Sequence, residues 1–168
     1  MDKRPRITIL GVGNILFGDE GFGVKVLEAL SRSYTFSERV RLVDGGVLGM
    51  GLMGVIADTD VLIVVDAVRN QQPAGTLYRL QDQEIPKRVL TKISMHQVDL
   101  PEVLALCAAI DQQPATVIVV GVEPEDMTTM RLELTPTVSA RMEDTMDMVL
   151  AELDRLGEVY TTTASQAD

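Results

Sequence analysis

Gly11-Val12-Gly13-Asn14-Ile15-Leu16-Phe17-Gly18-Asp19-Glu20-Gly21-Phe22-Gly23 stands between a short apolar run, residues 6–10, and a helical pattern, residues 24–30. The stretch reads as a loop that carries a strand into a helix. Its glycines let the backbone turn tightly or come close to another group. A loop of this kind above the first strand of an α/β sheet is a usual seat for a ligand. Asp19 and Glu20 narrow the choice of ligand. A dinucleotide fingerprint spaces its glycines G-x-G-x-x-G, whereas here Gly18 comes two positions late and two acids follow it. A pyrophosphate wants bare N–H groups at a helix N-terminus, and these carboxylates would repel it. A cation suits the loop better. Asp19 is expected to cap the helix. Glu20 either favours the first turn or serves a site whose other members lie elsewhere.

Outward from this loop, strand and helix patterns alternate. Residues 6–12 become wholly apolar, as a buried central strand does. Val24, Val26, Leu27 and Leu30 give the first helix an apolar face. Residues 40–43 make a second strand that ends in Asp44-Gly45-Gly46, read either as a plain turn or as a carboxylate set in a cleft. Residues 48–57 predict a second helix. Val61-Leu62-Ile63-Val64-Val65 is the strongest strand signal in the chain and runs directly into Asp66. Residues 75–80 alternate and predict a peripheral strand; residues 87–96 read as an irregular loop. Asp99-Leu100-Pro101-Glu102 has the form of a capping box with proline in the first turn. The helix it opens carries Val103, Leu104, Cys107 and Ile110 on one face. Residues 116–122 are another buried strand. Thr135, before Pro136, caps a last helix striped by Val138, Met142, Met146, Val149, Leu153 and Leu156, which Gly157 closes. Residues 158–168 are polar and Thr-rich and are expected to fray.

Alternating strands and helices imply a mainly parallel sheet covered on both faces. The expected architecture is a three-layer α/β/α sandwich around about five strands, with one domain over residues 1–157. The chain has 168 residues, enough for a full core, and 46% apolar against 24% charged residues fit a packed globular domain. A formal net charge of -10 opposes phosphate-backbone binding, and no Trp beside three Phe and three Tyr leaves few stacking platforms, so nucleic acid is not an expected partner. No apolar run reaches membrane-spanning length. The N-terminus lacks the apolar core of a secretory leader, and one cysteine, Cys107, fits a reducing compartment. A cytoplasmic monomer is expected.

Three acids follow the first three strands: Glu20, Asp44 and Asp66. A carboxylate at the end of a buried strand is costly unless it is paired, and Asp66 is the sharpest case. The single histidine, His96, stands just before a helix. Two carboxylates, Glu20 and Asp66, with one imidazole suit a divalent transition metal, nickel or zinc among them, with positions left open for water or substrate. The alternative is that Asp66 is satisfied locally while Glu20 and His96 face solvent; spacing alone leaves both open. Cys107, mid-helix on the apolar face, reads as core rather than nucleophile. Met50, Met53, Met142 and Met146 read as core fillers. No G-x-S-x-G elbow or H-E-x-x-H pair is present.

With these residues in hand, the chain resembles the nickel-iron hydrogenase maturation endopeptidases over residues 7–157. The carriers are Gly11-Val12-Gly13-Asn14, Gly18-Asp19-Glu20-Gly21-Phe22-Gly23, Asp44-Gly45-Gly46, Val64-Val65-Asp66-Ala67, His96-Gln97 and Gly121-Val122-Glu123-Pro124. The resemblance implies a twisted, mainly parallel sheet between helices. It implies that Glu20, Asp66 and His96 are metal ligands and that Asp44 is a further functional acid. It also implies the reaction, removal of a short C-terminal extension from the hydrogenase large-subunit precursor once nickel is in place. The nickel would belong to the substrate, with zinc or cadmium able to stand in for it in a crystal.

Two chemistries fit such an inventory. A bridging nickel could polarise the scissile carbonyl or acidify a bound water. Alternatively the nickel positions the peptide and Asp44 or Asp66 acts as general base; the second, with Asp44 as the catalytic carboxylate, is favoured. Rival expectations are an escort that holds the precursor without cutting it and, further off, a nucleotide-binding domain.

Overall fold

The structure, a computed structural model, describes residues 4–46, 49–85 and 100–163. In chain order the elements are β1 (Ile7–Val12), α1 (Phe22–Ser33), β2 (Tyr34–Phe36), β3 (Val40–Gly46), α2 (Met53–Ala57), β4 (Val61–Ala67), β5 (Leu77–Gln81), α3 (Leu100–Ala109), β6 (Thr116–Val122), α4 (Pro136–Ser139), α5 (Met142–Arg155) and β7 (Tyr160–Thr162). Five strands form the central sheet in the order β3-β1-β4-β6-β5. The first four are parallel, and β5 pairs antiparallel to β6 at one edge.

Both faces of the sheet are covered, which is why its central strands are largely apolar, with Thr8 and Asp66 as buried polar exceptions. On one face Ile7, Ile9, Ile63, Val65 and Val120 meet Phe22, Val26 and Leu30 of α1 and Val149 and Leu153 of α5. On the other, Leu10, Leu62, Val64 and Val119 meet Leu52, Ile56 of α2 and Val103 and Cys107 of α3. The three-layer α/β/α reading therefore holds. So does the core placement of Cys107, whose thiol is fully buried and shifted upward in pKa by that burial.

Several local expectations change. Asp44-Gly45-Gly46 is no free turn; it continues β3 beside β1, across a register irregularity at Gly11/Val12. The helix expected over 48–57 begins as a 3₁₀ turn, Gly49–Leu52, and only Met53–Ala57 is α-helical, because glycines weaken a helix interior. Met50 is exposed rather than core. The capping box at Asp99 and the loop 87–96 lie outside the described residues. Ile110 follows the end of α3 and is exposed. Thr135 does cap, accepting from the Val138 N–H at 3.4 Å, but the helix breaks after Ser139 and restarts at Met142. The segment read as a frayed tail is docked through Thr162: β7 pairs antiparallel with β2, and Tyr160 packs edge-on to Tyr34. Glu158 is buried, taking a hydrogen bond from Ser37 at 2.7 Å and an ion pair from Arg39 at 3.0 Å.

Candidate active site

The carboxyl ends of the parallel strands form one rim of the sheet, and the Gly11–Gly23 loop closes over it. The glycines of that loop are used up by the protein's own backbone. A Cβ on Gly23 would lie 2.0 Å from the carbonyl oxygen of Val65 and 2.5 Å from that of Val12. One on Gly11 would meet the Gly23 carbonyl at 2.6 Å, and one on Gly13 the Glu20 carbonyl at 1.8 Å. Gly13 also has φ +131, a region open only to glycine. So α1 is set down with its first turn on β1 and β4, and the loop has no spare hollow for a pyrophosphate. The nucleotide-binding alternative loses its cradle.

This packing fixes where the acids stand. Glu20 sits in the 3₁₀ turn Gly18–Gly21, its carbonyl against Gly13 at the end of β1. Asp66 directly follows Val65, the residue on which Gly23 rests. The structure thus brings Glu20 and Asp66 to the same rim, over the adjacent strands β1 and β4. Asp66 is 1% exposed, and its Oδ1 accepts the Ala67 N–H at 2.8 Å. It shares a strand face with Leu62 and Val64, the face covered by α2 and α3. Glu20 is half-buried. His96 lies outside the described residues, and among the described residues no group of three His, Cys, Asp or Glu is clustered as a metal site.

Asp44 is at the same level of the rim, on the other side of β1: Gly11 pairs with both Asp44 and Val65. Two strand spacings therefore separate Asp44 from the Asp66 region, about 10 Å. Asp44 points to the opposite face of the sheet from Asp66. It is exposed and opens onto a groove beside α1, shared with Leu42. The structure does not place Asp44 and Asp66 on one atom.

Two further acids, one read from the sequence as a helix cap and one given no role, hold the rim together. Asp19 does not cap α1: neither the 3₁₀ turn nor the helix is capped by a side chain. Fully buried, it accepts instead from the N–H groups of Glu125 and Asp126, both at 2.9 Å, from Thr135 N–H at 2.7 Å and from Thr135 Oγ1 at 3.0 Å. It thereby ties the glycine loop to the segment between β6 and α4. The same two stretches also exchange main-chain bonds, Gly18 N–H to Arg131 and Arg131 N–H to Leu16.

Glu123, at the end of β6, is buried and accepts from the Asn70 N–H and from Tyr78 Oη. Burial, and then the carboxylate beside it, hold the Tyr78 hydroxyl well above its ordinary pKa. Asp126, by contrast, sits well below the usual carboxylate range, held there by hydrogen bonds from Thr129 and then Thr128. Glu123 could have been found in the sequence by the same sign as Asp66, an acid directly after a buried strand. Asp19 carried no such sign, since its partners lie more than a hundred residues away.

Comparison with known proteins identifies the family. A family model described as hydrogenase maturation protease matches residues 24–152. The hydrogenase 2 maturation protease of Escherichia coli strain K12 is 42% identical over 153 residues, which cover 90% of this chain and 93% of that protein. The hydrogenase expression/formation protein HupD of Thiocapsa roseopersicina is 39% identical over 160 residues, 95% of this chain and 72% of that one. Among solved structures, the hydrogenase maturating endopeptidase HybD from E. coli superposes with a TM-score of 0.88 at 39% identity, covering 95% of this chain and 99% of that one.

Proposed function

The chain belongs to the hydrogenase maturation protease family and is an endopeptidase, and on that premise we propose that it removes a short C-terminal extension from a nickel-iron hydrogenase large-subunit precursor after nickel insertion. The nickel arrives with the substrate. Glu20, Asp66 and His96 receive it, and the observation that carries this reading is the seating of α1 on Val12 and Val65, which puts Glu20 and Asp66 on one rim. Two carboxylates and an imidazole are donors that a borderline divalent ion accepts.

With the ion gripped over β1 and β4, the peptide that carries it is held in register with the rim. A bond downstream of the ion, about 10 Å away, falls beside Asp44. Asp44 takes a proton from water as that water attacks the scissile carbonyl, and returns it to the amine nitrogen as the C–N bond breaks. The nickel acts here by positioning, which supplies rate by fixing the reacting atoms in place. An exposed carboxylate without a cationic partner among the described residues suits a base better than the buried Asp66. This aspartate-assisted cut needs no serine or cysteine nucleophile. In this reading the protein acts on a newly made precursor in the cytoplasm, as a monomer; among the described residues no helix is long and apolar enough to cross a membrane.

Mass spectrometry of a nickel-loaded precursor incubated with the purified chain tests the reading. Loss of a C-terminal fragment is expected, and an intact precursor held in a stable complex would make the protein an escort instead. His96→Ala should abolish both nickel-dependent binding and cleavage, and processing that survives it removes His96 from the site. Full activity of Asp44→Asn removes Asp44 from the chemistry.

A further inference from the structure

Among the described residues, the edge of the sheet next to Asp44 is open. β3 is the terminal strand of the order β3-β1-β4-β6-β5, and among the described residues no strand lies on its outer side. Its parity is fixed by the ladder to β1. Ile7 pairs with Val40, and the Ile7 N–H donates to the Arg39 carbonyl at 2.8 Å. In a parallel pair this turns the backbone groups of Arg39, Arg41 and Val43 toward β1, and those of Leu42 and Asp44 away from it. The side chains of Leu42 and Asp44 line a groove of ≈ 370 Å³ between β3 and α1, with Val24, Leu27, Glu28 and Arg32 on its other wall. An edge whose N–H and C=O groups are unpaired among the described residues, above a half-apolar groove, is the geometry that accepts an added strand.

We infer that the extension of the precursor binds as an extra strand along the outer edge of β3, antiparallel to it, running from Asp44 at the rim toward Arg32. This rests on the endopeptidase reading above and names where its substrate lies. The direction follows from which part of the substrate is free to enter. The folded body upstream of the cut must stay outside the rim, whereas the extension has a free end that can be laid down the groove. The charges match that direction. Acidic Asp44 and Glu28 stand at the rim and midway. Arg32, exposed in the last turn of α1, is without an ion-pair partner among the described residues. From Val24 to Arg32 the helix rises about 12 Å, which an extended peptide covers in about four residues. The occupant is therefore an extended peptide whose backbone meets Leu42 and Asp44 and which places a carboxylate about four residues past the cut, at Arg32.

The test uses the whole protein, the nickel-loaded precursor and a synthetic peptide of the extension's sequence. Leu42→Pro deletes the outward N–H without touching the β1 ladder, and edge strands accept proline at such a position. It should raise KM about tenfold with kcat within about twofold of the parent, while Leu42→Ala, which keeps the N–H, shifts KM by less than about threefold. An unchanged KM for a folded Leu42→Pro overturns the proposal. Should that variant unfold, Arg32→Glu decides. It raises KM, and a lysine placed at the fourth residue of the extension restores it; failure of that exchange overturns the proposal. Amide hydrogen exchange settles docking apart from chemistry: the Leu42 and Asp44 N–H groups must slow when the peptide or precursor is added. Slowed exchange without cleavage would overturn the endopeptidase reading and keep the docking site; cleavage without slowed exchange does the reverse.

Discussion

Replacing Asp19 should do more damage than replacing any of the proposed ligands, and the damage can be sized from its partners. Its carboxylate accepts four hydrogen bonds, three from main-chain N–H groups of Glu125, Asp126 and Thr135 and one from the Thr135 hydroxyl. Each donor left unsatisfied in a buried place costs about 1–3 kcal/mol. In Asp19→Ala the Thr135 N–H is stranded in a buried setting, while the N–H groups of exposed Glu125 and half-buried Asp126 can recover water. The Thr135 hydroxyl, released from Asp19, is also freed from its capping position at Val138. The sum is about 3–5 kcal/mol, a large part of the total stability of a domain this size.

Asp19→Asn is the graded control. Its oxygen can keep the place of Oδ2, which takes three of the bonds, while its NH₂ faces the Thr135 N–H that Oδ1 accepted. One orphaned donor costs about 1–3 kcal/mol. Urea unfolding followed by circular dichroism gives both midpoints at constant slope. A shift worth less than about 1 kcal/mol for Asp19→Ala, or a larger loss for Asn than for Ala, would refute the view that this side chain ties the rim together.

Gly23→Ala should destabilise the domain by more than about 3 kcal/mol, because its Cβ would stand 2.0 Å from a main-chain oxygen in the middle of the sheet; a thermal scan against the parent reads it. Tyr78→Phe removes the hydroxyl that donates to buried Glu123 and should cost about 1.5–3 kcal/mol in the same urea assay. Glu20→Gln should weaken nickel or cadmium binding in calorimetry with little change in melting temperature, since no hydrogen bond of its side chain supports the fold among the described residues; unchanged affinity would remove Glu20 from the site. Acid should destabilise the protein through Asp60 and Asp126, whose pKa values are lowered in the fold. Groups lowered on folding stabilise above their unfolded pKa, near 4, and that contribution is lost as pH falls through the folded value. Melting temperature should thus decline below about pH 4, and the decline should be shallower in Asp126→Asn.

The layers and the mainly parallel sheet were readable because they follow from local period; the strand order was not. Apolar runs such as Val61–Val65 can only be central strands, and helices between them force parallel pairing. The rim position of Glu20 and Asp66 was readable for the same reason, since each ends or follows a strand. What was hidden depends on contacts between remote stretches. Asp19 looked like a helix cap because capping is a local act; its real partners lie beyond residue 120. The pairing of β7 with β2 was hidden because three-residue strands carry no period, and the aromatic contacts among Tyr34, Phe36 and Tyr160 exist only once the chain has closed on itself. Asp44 was legible as a rim acid but not in its orientation. Strand parity sends it to the face opposite Asp66, and that parity is set by the ladder to β1.

The short ribbon of β2 and β7 has a practical side. β2 follows the last turn of α1 and precedes the start of β3, so the ribbon occupies the pole of the molecule opposite the carboxyl rim. A fusion partner or surface tether joined beyond this ribbon would hold the protein by its base and leave the working end facing outward. Immobilised in that way, it could serve as bait for catching precursors at successive stages of metal loading.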